Sequence, residues 1–259
     1  VEPVDGTINP GEGTTMASAE NTALGDCSAG PDGLDARRAI QCVGQQIRWL
    51  QNYSTPRCVH TSIVSATPEE FEIVGYATSV DPFWQLLTDF REAHGTEPKI
   101  GVRLVDESQC AVVTFVKNFA KTSEARPPKL TLDRDVLKSG EPIRGTIDQI
   151  EGRDLTLFLV DSQGGAYNLT SRLKPQEDGS STFALALHPQ GAAGREIVPY
   201  LMLVIASDQP IGSSDTQAGT PTASLMPIIQ AEIRQRGAAE EEAASAALGY
   251  FRFDDAEEQ

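Results

Sequence analysis

Hydrophobic and polar positions change their spacing along this chain, and the changes divide it into parts. Large apolar residues are rare in residues 1–32, where Gly, Ser, Thr, Asp and Pro predominate. A segment of this composition cannot bury enough apolar surface to offset the entropy lost on ordering. We therefore expect residues 1–32 to be a flexible leader or linker.

An α/β pattern follows over residues 33–120. Apolar residues recur at helical spacing within residues 34–52, which predicts a first helix. Residues 57–64 and 71–78 are rich in β-branched and aromatic residues and predict two strands, and the intervening segment contains Pro68 as a turn signal.

A second helix in this part has the clearest boundaries. Asp81 can cap its start, Pro82 suits its first turn, and Gly95 is a typical stop. Residues 99–105 and 110–119 then predict two further strands. The order α-β-β-α-β-β favours one antiparallel sheet with both helices on one face.

The pattern changes again after residues 121–128, whose two prolines and charged residues predict a domain boundary. Residues 129–211 consist of short alternating segments separated by turn residues, which is typical of an antiparallel β-sandwich. Residues 212–224 predict a loop, and residues 225–259 a helical tail that includes a short apolar strand or tail at 250–253. The predicted fold class is α+β: a small α-β-β-α-β-β domain, then a β-sandwich with C-terminal helices.

Charge narrows the classes of partner. The 259 residues include 37 acidic and 21 basic side chains, for a net charge of −16. An acidic surface repels nucleic-acid phosphates and anionic lipid headgroups, so we expect no nucleic-acid partner. No apolar run reaches the roughly 20 residues that a spanning helix needs, so we expect no direct membrane insertion in this segment.

The four cysteines favour two disulfides and an oxidising compartment. Reduced thiols in the core are the competing interpretation. A zinc site is the third, but the chain has no C-x-x-C motif, and His60, His94 and His188 are scattered without ligand spacing.

Geometry ranks the possible disulfide pairings. Cys42 lies about 15 Å along the first helix from its end, whereas bridged Cα atoms lie within about 7 Å, so a bridge from Cys42 to Cys58 is disfavoured. Cys58 and Cys110 begin predicted strands that can meet at one end of the sheet. The hypothesis is therefore Cys58–Cys110, with Cys27–Cys42 pinning the leader to the first helix.

Candidate catalytic residues are few. There is no G-x-S-x-G motif, and only three histidines could serve as the base of a Ser–His–acid triad. Carboxylate pairs such as Asp133 and Asp135 are expected by chance among 37 acids. We predict no catalytic residue, no metal ligand and no cofactor.

The β-rich part resembles a bacterial domain of unknown function found at the C-terminal ends of Ser/Thr protein kinases and caspase-like peptidases. The resemblance is carried by Ser-Gly-Glu at 139–141, by the Asp-Ser-Gln-Gly hairpin at 161–164, and by Ser-Asp-Gln-Pro-Ile at 207–211. The part before it resembles the Cys-containing α/β segment that precedes this domain in kinase-like proteins of α-proteobacteria. Its Gly-Tyr-Ala-Thr-Ser at 75–79, ahead of a helix, is similar to the BON domain of periplasmic proteins.

These resemblances imply a non-catalytic sensor or interaction module in the periplasm or outside the cell, with a protein or cell-envelope ligand. The parent protein would be a membrane-anchored signalling protein, with a Ser/Thr kinase as the first expectation, and residues 1–32 would connect to its spanning helix. The chain itself has no Gly-rich loop, H-R-D or D-F-G motif of a kinase. A free-standing periplasmic or secreted adaptor is the alternative, and a hydrolase with an unrecognised site is the third hypothesis.

Overall fold

The computed structural model describes residues 36–122, 126–138, 140–187, 198–240 and 244–253. The predicted leader, residues 1–32, lies outside this range. Within the described residues the fold is α+β, with three separate β-sheets, as the sequence predicts. None of the helices in this range is both long enough and apolar enough to cross a membrane.

Three helices surround a small sheet in the N-terminal part. Its elements are α1 (Ala36–Asn52), β1 (His60–Ala66), β2 (Phe71–Ala77), α2 (Asp81–His94), β3 (Lys99–Leu104) and α3 (Cys110–Thr122). The strand order is β1-β2-β3. β1 and β2 are antiparallel, whereas β2 and β3 are parallel because α2 carries the chain back to the same end of the sheet. The prediction of a wholly antiparallel sheet is therefore wrong.

The boundaries of α2 follow the predicted signals closely. Pro82 lies in the first turn, and Gly95 adopts the left-handed conformation with φ +69° while its N–H donates to the Arg91 carbonyl. Asp81 is the first helical residue, and its carboxylate accepts a hydrogen bond from Ser79 instead of capping the helix.

Residues 110–119 form most of helix α3, so the predicted fourth strand is wrong. The segment is buried on most sides, with Val112, Val113, Phe115 and Val116 almost inaccessible to solvent. The valines and phenylalanines of this segment are residues that favour strands, which accounts for the strand prediction. The buried positions nevertheless recur at helical spacing, at residues 112, 113, 115, 116 and 119. A start signal was also present, because Asp106 and Gln109 form a capping box just before the apolar run.

Helices α1 and α2 share one face of the small sheet, as predicted. Leu50 of α1 packs with Leu86 and Phe90 of α2 against Phe71 and Ile73 of β2. The other face of β2 points toward α3 through Val74 and Tyr76. The small sheet is therefore covered on both faces.

Two sheets form the predicted sandwich in the C-terminal part. Its elements are β4 (Lys129–Leu132), β5 (Val136–Leu137), β6 (Pro142–Asp148), β7 (Asp154–Val160), β8 (Gly165–Asn168), β9 (Lys174–Pro175), β10 (Ser181–Ala186), β11 (Val198–Ser207), β12 (Thr220–Pro221), α4 (Thr222–Glu240) and β13 (Ser245–Phe253). One sheet has the order β4-β6-β10-β9, and the other β12-β8-β7-β11-β13-β5. Alternate residues of β11, such as Met202 and Val204, face the four-stranded sheet and fill the core between the two.

The predicted helical tail, residues 225–259, is only partly helical. Helix α4 begins at Thr222, three residues inside the segment predicted as a loop, and the structure then places Ser245–Phe253 as strand β13. β13 pairs along nine residues with β11, whose ten residues are all buried. Small residues suit this position, because a Cβ on Gly249 would lie 2.8 Å from the Leu130 side chain of the facing sheet. Close packing thus overrides the helix propensity of the alanine-rich segment.

The two parts share a core but no sheet. Val112, Phe115 and Val116 of α3 pack with Leu203 of β11 and Ile229 of α4 in one buried cluster. The predicted division between residues 33–120 and 129–211 therefore separates sheets, while α3 is buried against the C-terminal part.

Candidate functional site

The cysteine pair closes the N-terminal part around the small sheet. Cys58 and Cys110 form a disulfide with their Cα atoms 4.8 Å apart, which confirms the predicted pairing. Cys58 precedes β1 and adopts a left-handed conformation with φ +62°, and Cys110 begins α3 instead of a strand. The second predicted pair, Cys27–Cys42, lies outside the described residues because Cys27 does.

A buried glutamine joins the two parts next to this bridge. The Gln109 side-chain amide donates to the carbonyl oxygens of Asp161 at 2.9 Å and Pro199 at 3.1 Å. The Ser108 hydroxyl donates to the Ser162 carbonyl. A Cβ on Gly164 would lie only 2.4 Å from the backbone carbonyl oxygen of Ser108. The Gly-Gly hairpin between β7 and β8 is therefore a tight docking point for the N-terminal part.

An open cleft of about 1240 Å³ separates the two parts away from this docking point. One wall is β1 with the end of α1, and the opposite wall is β4 with the residues that flank it. Residues 245–250 of β13 also line the cleft. Tyr76 crosses between the parts here, because its hydroxyl donates to the Leu248 carbonyl at 2.9 Å.

The charge of the cleft differs from that of the chain. Its lining includes five basic side chains and two acidic ones, which are Arg103, Lys117, Arg126, Lys129, Arg134, Asp133 and Asp135. The whole chain has the opposite balance, with 37 acidic and 21 basic residues. The cleft is therefore a local positive surface on an acidic protein.

One ion pair connects the two walls. The Arg103 guanidinium of β3 lies 2.9 Å from the Asp135 carboxylate, and its carbon is 5.6 Å from the ring centre of Tyr250. Both charged side chains are more than a third exposed, so the pair contributes little to stability. Asp135 is thus already engaged by a cation. Asp133, two residues earlier, is an exposed lining residue.

His60 lies at the base of the cleft and is almost wholly buried. Its Nε2 is 2.9 Å from the Ser62 hydroxyl, and its ring stacks on Tyr76 with centroids 6.2 Å apart. Burial, with a smaller contribution from the Lys117 charge, lowers the pKa of His60 to about 4. The imidazole is therefore neutral at pH 7. The sequence placed His60 in a strand but did not identify Ser62 as its partner, although residues two apart on a strand share a face.

The other histidines do not enter the cleft. His94 is buried between Phe90 and Trp49, and its Nε2 has no hydrogen-bond partner. Burial lowers the pKa of His94. His188 lies outside the described residues. Trp84 is 66% exposed on α2.

The structure brings no metal-ligand set together in the part of the chain that it describes. Of the adjacent acids Glu69 and Glu70, Glu70 forms an ion pair with Lys99. Asp254 and Asp255 lie outside the described residues.

Comparison with known proteins leaves the family open. The chain matches no protein-family model, and the search of curated proteins found no significant match.

Proposed function

We propose that this chain is a non-catalytic binding module that holds a protein or cell-envelope ligand in the cleft between its two parts. The observation that carries the proposal is the cleft itself, a positively charged surface on an acidic chain. Concave sites at the junction of two structural parts are where ligands are most often bound. The docking contacts of Gln109 and the Tyr76 hydrogen bond hold the two walls in place.

The proposed setting is extracytoplasmic. The Cys58–Cys110 bridge supports it, because disulfides persist in the periplasm and outside the cell and are rare in a reducing cytosol. Within this setting we propose the sensor or interaction region of a bacterial membrane-anchored signalling protein, with a Ser/Thr kinase as the first candidate. A free-standing periplasmic or secreted adaptor is the alternative. The sequence upstream of Val1 in the gene distinguishes the two.

Photocrosslinking in the native host tests the binding role. A photoreactive amino acid at Thr131, in the β4 wall, is expected to capture one discrete partner. The matched control carries it at Glu92, an exposed residue of α2 outside the cleft lining, and is expected to capture none. Equal products from both positions, or none from Thr131, would remove the binding proposal.

Thiol trapping in the same cells tests the location. Acid-quenched cells treated with a maleimide reagent are expected to show Cys58 and Cys110 protected until a reductant is added. Immediate labelling of both residues in the native host would contradict an extracytoplasmic setting.

One observation favours a second function, a hydrolase. Ser62 and His60 lie within hydrogen-bond distance in the cleft, as a nucleophile and its base would. A pKa of about 4 makes His60 a weak base at pH 7, and no described carboxylate hydrogen-bonds to its ring. The pair therefore fits the satisfaction of a buried histidine better than catalysis. Hydrolysis of a p-nitrophenyl ester that disappears in Ser62→Ala would favour the hydrolase.

A further inference from the structure

Strand β1 presents an open edge to the cleft. It is the outer strand of the order β1-β2-β3, and no described strand pairs with its other side. Its sequence, HTSIVSA, contains neither a charged residue nor a proline, which are the usual protection of a strand edge. The opposite outer strand, β3, carries Lys99 and Arg103. The edge of β1 is therefore suited to pairing with another strand.

The length of the pairing site is limited by a β-bulge. Register between β1 and β2 is regular from His60 to Ile63 and shifts before Ser65, which leaves Val64 without a partner residue. Ile63 and Val64 are 37% and 60% exposed. The regular part of β1 lies in the cleft lining, so an added strand would pair over about four residues at the free edge.

The wall of the cleft opposite β1 carries positive charge. Arg126, Lys129 and Arg134 are exposed, and no described carboxylate forms an ion pair with them. We name these three side chains the cationic wall. Asp133, next to Arg134 in the cleft lining, is an acidic residue with no ion-pair partner in the described part of the chain. A ligand between β1 and the cationic wall therefore meets backbone hydrogen-bonding groups on one side and positive charge on the other.

We propose that the cleft binds an acidic peptide segment of a partner protein in an extended conformation. Its main chain pairs with the free edge of β1, and its carboxylates contact the cationic wall. Main-chain pairing supplies affinity in this binding mode, and charge complementarity supplies the choice of partner. The inference rests on the proposed function and adds the chemistry of the ligand.

Fluorescence anisotropy with the full 259-residue chain tests the proposal. The probe is a fluorescein-labelled ten-residue peptide that alternates glutamate and valine. We expect saturable binding that weakens at least 5-fold when the salt concentration is raised from 50 to 500 mM, because ions screen exposed charges. A peptide with lysine in place of glutamate is expected not to bind.

Charge reversal tests the contacts with the cationic wall, and backbone methylation tests the pairing with β1. Lys129→Glu and Arg134→Glu are each expected to weaken binding about 10-fold. The matched control Lys174→Glu, at the opposite edge of the four-stranded sheet, is expected to leave it unchanged. A glutamate–valine probe N-methylated at every residue has no main-chain N–H group left on either edge, and we expect it to bind at least 10-fold more weakly.

The following outcomes would overturn the inference. Equal binding of the methylated probe rejects strand pairing, and equal loss in all three charge variants rejects the cationic wall. Competition by a 20-nucleotide single strand at lower concentration than the peptide would assign the cations to phosphate instead. If the acidic peptide does not bind while photocrosslinking at Thr131 still captures a partner, the inference fails and the proposed function stands.

Discussion

The hydroxyl of Tyr76 donates a hydrogen bond to the carbonyl oxygen of Leu248, 2.9 Å away and 172 residues further along the chain. Tyr76 belongs to the small sheet and Leu248 to the six-stranded sheet of the sandwich. Both residues are buried, and burial raises the pKa of the Tyr76 phenol well above its usual range. The bond therefore joins the two walls of the cleft at a point shielded from water.

Tyr76→Phe should lower the free energy of unfolding by about 1–2 kcal/mol, because it leaves a buried carbonyl without its partner. Urea unfolding measures the change. Tyr53→Phe is the matched control, since the Tyr53 hydroxyl bonds to the half-exposed Asp89 carboxylate, and water can replace it there. An equal or larger loss in Tyr53→Phe would contradict the account of the interface.

Stability should depend on pH through His60. Its pKa is 6.5 in the unfolded chain and about 4 in the folded protein, so the unfolded state binds the proton first as the pH falls. The contribution is present above pH 6.5, is lost between pH 6.5 and 4, and totals about 3 kcal/mol at one pKa unit per 1.36 kcal/mol. Urea unfolding from pH 7.5 to 4 measures it.

The matched variant for this pH dependence is His60→Gln, which keeps a hydrogen-bonding side chain near Ser62 without a titrating ring. We expect its stability to fall less steeply than that of the native chain over the same pH range. Burial also lowers the pKa of His94. His94→Gln should therefore remove a separate part of the fall in the free energy of unfolding with falling pH. Parallel curves for His60→Gln and the native chain would show that His60 does not titrate as described.

The disulfide should be a large contributor to stability. It links residues 52 positions apart, and a closed loop of this size is worth about 4 kcal/mol in the chain-entropy treatment. The double variant Cys58→Ala/Cys110→Ala should lose most of that amount in guanidinium unfolding. Dithiothreitol should produce at least as large a loss in the native chain, because it also reduces the bridge predicted between Cys27 and Cys42. A variant as stable as the native protein would contradict this prediction.

Limited proteolysis should cut the chain between Ala120 and Lys129, where the sequence predicts the domain boundary. A glutamyl endopeptidase has a site there at Glu124. The two fragments should remain together on gel filtration, because Phe115 and Val116 of α3 are buried against β11 and α4. Fragments that separate without denaturant would show that α3 belongs energetically to the N-terminal part alone.

Local sequence signals located most of the elements, because those elements are decided by local physics. The proline and glycine that bound α2, and the turn residues between the sandwich strands, act within a few residues of their own position. The Cys58–Cys110 pair was also predictable, since few pairings of four cysteines satisfy the geometry of a bridge. The predictions failed at α3, whose valines and phenylalanines favour strands, and at β13, whose alanines favour a helix until the segment pairs with β11.

The sequence by itself determined the α+β class, most sandwich strands within residues 129–211, the boundaries of α2 and the acidic balance of the chain. Only the tertiary structure decided that α3 is a helix shared by both parts and that Ser245–Phe253 pairs with β11. It alone also assembled the cleft, whose walls come from β1, β4 and β13. The reason is physical: periodicity and capping are local, whereas the partners of a buried segment and the charges around a cleft are set by residues far apart in the chain.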